Sequence, residues 1–231
     1  MKHLIWKAFA LTLITLTLVS CEDDDDDMET PKAQVMVVHA SPNAPAVDVR
    51  INNTVALTNL AYPSNSSYNA VNAGTANLKV SPTGTTTYVI DANVTLAANT
   101  NYSVFAIDSV TKIKAAVVTD NLTAPAAGKA HVRFFHFSAN APAVDIAVAG
   151  GPVLFSNRSF NDQGTNTSVI NFTPVDAGSY TLEVRAAGTT PAILTIPNVA
   201  LTAEKIYTVF AKGFLGGTGS EALGAQIIMN N

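Results

Sequence analysis

The chain has 231 residues, 48% of them hydrophobic and 13% charged, with a formal net charge of −4. That length suits one large or two ordinary domains, and the charged share is about half the usual one. Apart from Lys2, Lys7 and the acids at 22–27, basic and acidic residues balance, so the body has no excess positive charge for a nucleic-acid surface.

The chain opens with "MKHLIWKAFALTLITLTLVSC", which has a basic start, an apolar middle over 4–19 and a small residue before Cys21. The apolar run falls short of the ~20 residues of a membrane span, and residues 1–20 read as a secretory signal peptide. "LVSC" resembles a bacterial lipobox. That resemblance implies that Cys21 is the first mature residue, carries lipid and holds the protein to a membrane. Cys21 is also the only cysteine, so no disulfide and no zinc–thiolate site is expected, nor any other metal or cofactor.

"EDDDDD" at 22–27 is a like-charge block that repels itself and stays solvated. With "METPK" it completes a tether over 21–32. The block resembles the acidic tag of lipoproteins exported to the outer face of an outer membrane, which implies a surface-facing location. The alternative is a plain spacer on a periplasm-facing protein.

From residue 33 the chain says everything twice. "HASPNAPAVDV" at 39–49 returns as "HFSANAPAVDI" at 136–146, "VNAGTANLKV" at 71–80 as "VDAGSYTLEV" at 175–184, and "NVTLAANTNYSVFA" at 93–106 as "NVALTAEKIYTVFA" at 198–211. A period near 100 residues is that of a sandwich domain and far longer than a solenoid repeat. Short alternating runs such as "VMVVHAS", "AVDVRIN", "ANLKVSP", "YSVFAID" and "IKAAVVTD" are separated by turn signals, and predict about seven strands per copy. Thr and Val suit a pleated surface, and no amphipathic helix follows the leader. The expected architecture is all-β, with one antiparallel β-sandwich over 33–126 and another over 130–231. A short linker between them restricts their relative orientation.

Each copy carries Leu-x5-Tyr ahead of an alternating strand, at Leu96 and Tyr102 and again at Leu201 and Tyr207. The pattern resembles the tyrosine corner of immunoglobulin and fibronectin type III sandwiches, in which the phenol bonds upstream backbone. The tandem H-x-S-x-x-A-P-A-V-D-[VI] motif behind a lipoprotein leader resembles a bacterial domain-of-unknown-function family of secreted and lipid-anchored proteins. The resemblance covers most of 33–231. It implies an immunoglobulin-like fold and brings no reaction or catalytic residues.

The motif residues His39, Ser41 and Asp48, with His136, Ser138 and Asp145, are hydrolase residue types, but no G-x-S-x-G elbow accompanies them. Arg133 should avoid burial, so parity puts Val35, Val37 and His39 on the inner face of the first strand, with Val132, Phe134 and His136 matching them. In the next strand Asp48 and Asp145 alternate with the apolar set, which separates each Asp from its His. One His and one opposed Asp are too few for a metal site. The expected roles are structural: His caps buried backbone polar groups, and Asp ties down turn N–H groups. No enzyme activity is expected.

Binding is the alternative to a purely structural role. Trp6 leaves with the signal, so Tyr62, Tyr68 and Tyr180 are the candidates for stacking a sugar. "GFLGGTGSEALGA" at 213–225 is either a mobile hairpin tip that exposes Phe214 and Leu215 or a contact loop. "DSV" at 108–110 fits a short bacterial O-glycosylation pattern. The expected function is a non-catalytic, lipid-anchored envelope module that captures a glycan or a protein. A spacer in an envelope assembly is the alternative.

Overall fold

The computed structural model describes residues 30–231. The segment read as a signal peptide, Cys21 and the acidic block all lie outside the described residues. Among those described, no helix is long and apolar enough to cross a membrane.

The described residues are all-β, with four short 3-10 turns between strands. The first half contains β1 (Lys32–His39), β2 (Val47–Ile51), β3 (Thr54–Leu60), β4 (Ser64–Asn65), β5 (Asn69–Asn72), β6 (Gly74–Pro82), β7 (Ile90–Leu96), β8 (Asn101–Ile107) and β9 (Lys114–Asp120). The second contains β10 (Lys129–His136), β11 (Val144–Val148), β12 (Val153–Arg158), β13 (Thr173–Asp176), β14 (Gly178–Ala186), β15 (Ala192–Leu201), β16 (Ile206–Lys212) and β17 (Gly224–Met229). The first half exceeds the predicted seven by β3, which folds back on β2, and by the two-residue β4.

Each half is built from two sheets. In the first, β5–β1–β8–β9, with β4 also on β1, faces β3–β2–β6–β7; in the second, β13–β10–β16–β17 faces β12–β11–β14–β15. Pairing is antiparallel except for β1 with β8 and β10 with β16, which run parallel. Strand β1 is flanked by β5 and β8, which run opposite to each other, so one of its two pairings has to be parallel. Between the sheets lies a core of alternating apolar residues. Val35, Val37, Val49, Leu78 and Val104 belong to the first core, and Val132, Phe134, Ile146, Leu182 and Val209 to the second.

A third core joins the halves. The opposite faces of β1, β8 and β9 supply Met36, Val38, Phe105, Ile107 and Val118, and those of β10, β16 and β17 supply Phe135, Phe210 and Ile228, with Phe137 just beyond β10. Phe105 stands 5.5 Å edge-on to Phe135 and 5.0 Å from Phe137, and Phe137 is 5.5 Å from Phe210. Such pairs add about 0.5–1.5 kcal/mol each beyond area burial. Residues 35–39 of β1 and 132–136 of β10 are therefore buried on both faces.

This corrects the expectation for Arg133. The parity of the strand is as predicted, but the face opposite the inner one is an interface, and Arg133 is fully buried in it. Burial is tolerated because the guanidinium is paired. Nη2 donates to Asp120 Oδ1 at 2.6 Å, and both side chains are 0% exposed. Arg133 Nε donates to Thr208 Oγ1 at 2.8 Å, Thr208 donates to Asn230 Oδ1 at 2.8 Å, Asn230 Nδ2 donates to the Tyr68 hydroxyl at 3.0 Å, and Tyr68 donates to Asp120 Oδ2 at 2.6 Å. The chain of donors closes into a ring that crosses between the halves twice. Ser103 adds a bond to Asp120 Oδ2 at 2.7 Å, and Phe135 and Phe172 lie 4.8 and 4.3 Å from the guanidinium carbon. Tyr68 is thereby removed from the candidate sugar platforms.

Removing one partner of a buried pair strands a charge, whereas removing both does not. Asp120→Asn should cost about 3–5 kcal/mol in urea unfolding. Adding Arg133→Met, the residue that occupies the matching position 36, should recover most of that loss. Equal stability of the single and double variants would contradict the pairing.

Candidate functional site

The two copies of the motif hold the same end of their sandwiches together, and almost every polar atom in the first copy has a partner in the backbone. His39 sits at the end of β1 with its ring fully buried. Its Nε2 donates to the Pro45 carbonyl at 3.0 Å, closing the turn after the strand, and its Nδ1 accepts from the Ser41 N–H at 3.4 Å. Pro45 O can only accept, which fixes the proton on Nε2. Ser41 Oγ donates to the Asp108 carbonyl at 2.6 Å, and Asn43 Oδ1 accepts from the Val110 N–H at 2.8 Å. The turn is thus tied to the connection between β8 and β9, some 67 residues away.

Asp48 lies on the other face of its sheet. Its two oxygens accept from the Asn59 N–H at 2.9 Å and the Gly84 N–H at 3.0 Å. Asn59 has φ +55 and belongs to an irregular stretch of β3, where the register against β2 shifts between Val47 and Val49. Such irregularities leave an N–H without a ladder partner, and the carboxylate supplies one. Gly84 has φ +76, a left-handed turn conformation that favours glycine. In the second half Asp145 accepts from Asn157 N–H at 2.7 Å and Gly188 N–H at 2.8 Å, with Asn157 at φ +49 and Gly188 at φ +76. The recurring "GTT" and the motif Asp are therefore two parts of one device. These backbone donors hold both carboxyls below the usual carboxylate range.

The second motif departs from the first at its His and Ser. His136 Nε2 donates to the Pro142 carbonyl at 3.1 Å, but its Nδ1 and the Ser138 hydroxyl are buried without partners. The motif Asn140 now reaches the 213–225 loop, donating to Leu215 O at 3.0 Å and accepting from Leu215 N–H at 2.8 Å. Both tyrosines stand at the start of their strands with the phenol oxygen on upstream backbone. Tyr102 accepts from Ala97 N–H at 3.0 Å, and Tyr207 from Thr202 N–H at 3.1 Å.

In neither copy do the motif His and Asp meet. Among the described residues no group of three or more His, Cys, Asp or Glu could hold a metal ion. Sequence reasoning missed the motif Asn as a long-range clamp, since an Asn in a Pro-rich turn reads as a local turn former. It also missed the Arg133 ring. Of the remaining stacking candidates, Tyr62 has its hydroxyl buried, and Tyr180 packs half-buried against the second core.

Fold and site together define a duplicated β-sandwich protein whose repeated motif binds its own backbone. The family model DUF4397, described as "Domain of unknown function", matches residues 33–147. That segment runs from β1 into β11 and takes in both copies of the motif. No curated protein matches the chain.

His136→Ala removes the donor to Pro142 and should cost about 1–3 kcal/mol, read as a lower Tm. Burial also holds both motif imidazoles below their ordinary pKa. The unfolded chain then takes up protons near pH ~6.5 that the folded chain refuses. Their contribution is complete above that pH and is lost as the pH falls below it. Tm should be level between pH ~7 and ~8 and decline from ~6.5 downward. Replacing both histidines by Asn should flatten the upper part of that decline.

Proposed function

We propose that this is a non-catalytic, lipid-anchored envelope protein that displays its sandwich ends as a binding or adhesion module at the cell surface. One observation carries the non-catalytic part. The motif His and Ser side chains are fully buried, and both oxygens of Asp48 and of Asp145 accept backbone N–H bonds. A base or nucleophile must be open to substrate. Lipid attachment rests on "LVSC" at 18–21, and outward display on the acidic run at 22–27.

A second reading, a spacer in an envelope assembly, has support of its own. The third core and the Arg133–Asp120 pair make the two halves one stiff unit, a property that a spacer needs.

Glycan and protein arrays probed with residues 28–231 separate the two. Specific retention that disappears when the loops at one sandwich end are altered supports binding. An empty array together with co-purifying envelope proteins supports the spacer. Protease treatment of intact cells should release the body, and a protected body would overturn surface display.

A further inference from the structure

The motif end of the second half differs from that of the first in the connection before β13, residues 159–172 against 61–68 before β5, and in its last loop. Strands β8 and β9 are joined by residues 108–113, and β16 and β17 by the longer 213–223. In the first half Ile113 packs onto the core. Its counterpart before β17, Leu223, instead lines a cavity of about 230 Å³.

The long loop is closed over the cavity by its own backbone bonds. Phe214 N–H donates to Glu221 O at 2.8 Å, and Gly217 N–H to Phe214 O at 3.0 Å. A Cβ at Gly213 or Gly217 would collide with the Ala222 or Glu221 carbonyl, so the fold of the loop needs glycine there. The motif Asn140 grips it from beneath through both hydrogen bonds to Leu215.

Pro142, Val144, Val184, Leu194 and Leu223 wall the cavity, His136 lines it, and none of its lining side chains is Asp, Glu, Lys or Arg. At its rim Ile193 and Leu215 are left 50% and 53% exposed. Large apolar side chains kept in water beside an apolar cavity form an entrance that a ligand would cover. The buried His136 Nδ1 and Ser138 hydroxyl are without partners, whereas Ser41 and His39 satisfy each other and Asp108 in the first half. With its proton held on Nε2 by Pro142, His136 has only an acceptor to spare. An apolar cavity of ~150 Å³ already takes benzene.

We propose that this cavity binds a compact, uncharged, apolar molecule of ring size carrying one hydroxyl. A carboxylate is excluded because no cation is present to offset its desolvation. The inference is separate from the adhesion reading, since arrays report on exposed loops and a positive titration stands whether or not they succeed.

The test is a methyl-NMR titration of residues 30–231, which contain every strand and all three cores of the described fold. Benzyl alcohol should give saturable shifts confined to Val144, Val184, Leu194, Leu215 and Leu223. Benzoate should bind about tenfold more weakly or worse. Ala186→Trp, which fills the space, should abolish the shifts. Ile193→Asp, at an exposed position that does not threaten folding, should weaken binding by about tenfold. The proposal is overturned by absent saturation with benzyl alcohol, by an equal response to benzoate, or by Ile193→Asp leaving the titration unchanged.

Discussion

The structure depends on one ion pair, that of Arg133 with Asp120. It is sealed from water between two β-sheets that come from different halves of the chain, and no other contact there carries full charge on both sides. Burying two ions is costly unless their remaining donors and acceptors are also met. Here they are: Thr208, Asn230, Tyr68 and Ser103 complete the bonding of the guanidinium and the carboxylate. The aromatic cluster around them excludes water. Separating the halves would strip the partner from each charge and expose Phe105, Phe135, Phe137 and Phe210 together. The short linker is thus the least of the restraints on orientation.

That constraint explains how the motif ends are held. Strands β1 and β10 each lie in a sheet with apolar packing on both faces, so the turns that leave them start from fixed points. His39 and His136 then close those turns onto Pro45 and Pro142, and Asn43 and Asn140 fasten the neighbouring connections. Between the two halves the connection before β5 and β13 and the last connection change most, and the last one sets how the motif end is filled. Where it is short the end is filled by Ile113, and where it is long the end is roofed and hollow.

Much of this was legible in the sequence because it is local or periodic. Strand alternation placed Val35, Val37 and His39 on one face, and Leu-x5-Tyr pointed to the phenol–backbone contacts of Tyr102 and Tyr207. What stayed hidden depends on residues far apart in the chain. Asn230 meets Tyr68 across 162 positions, and no pattern within a strand announces that. One signal was available. "VMVVHA", "RFFHF" and "YSVFAI" are apolar at nearly every position, which is how strands covered on both faces read. Arg133 in the middle of such a run looked like proof of a wet face, when it marked a dry one with a partner.

The ring has a consequence for which chains can pair with which. Its members occupy matching positions in the two copies: Met36 with Arg133, Tyr68 with Phe172, Ser103 with Thr208, and Asp120 with Asn230. Each copy thus keeps half of a lock. Two first halves brought face to face would set Asp120 against Met36, and two second halves Arg133 against Asn230, leaving each charge without a counter-ion. The charges therefore favour the sister copy, already tethered a few residues away, over a like half.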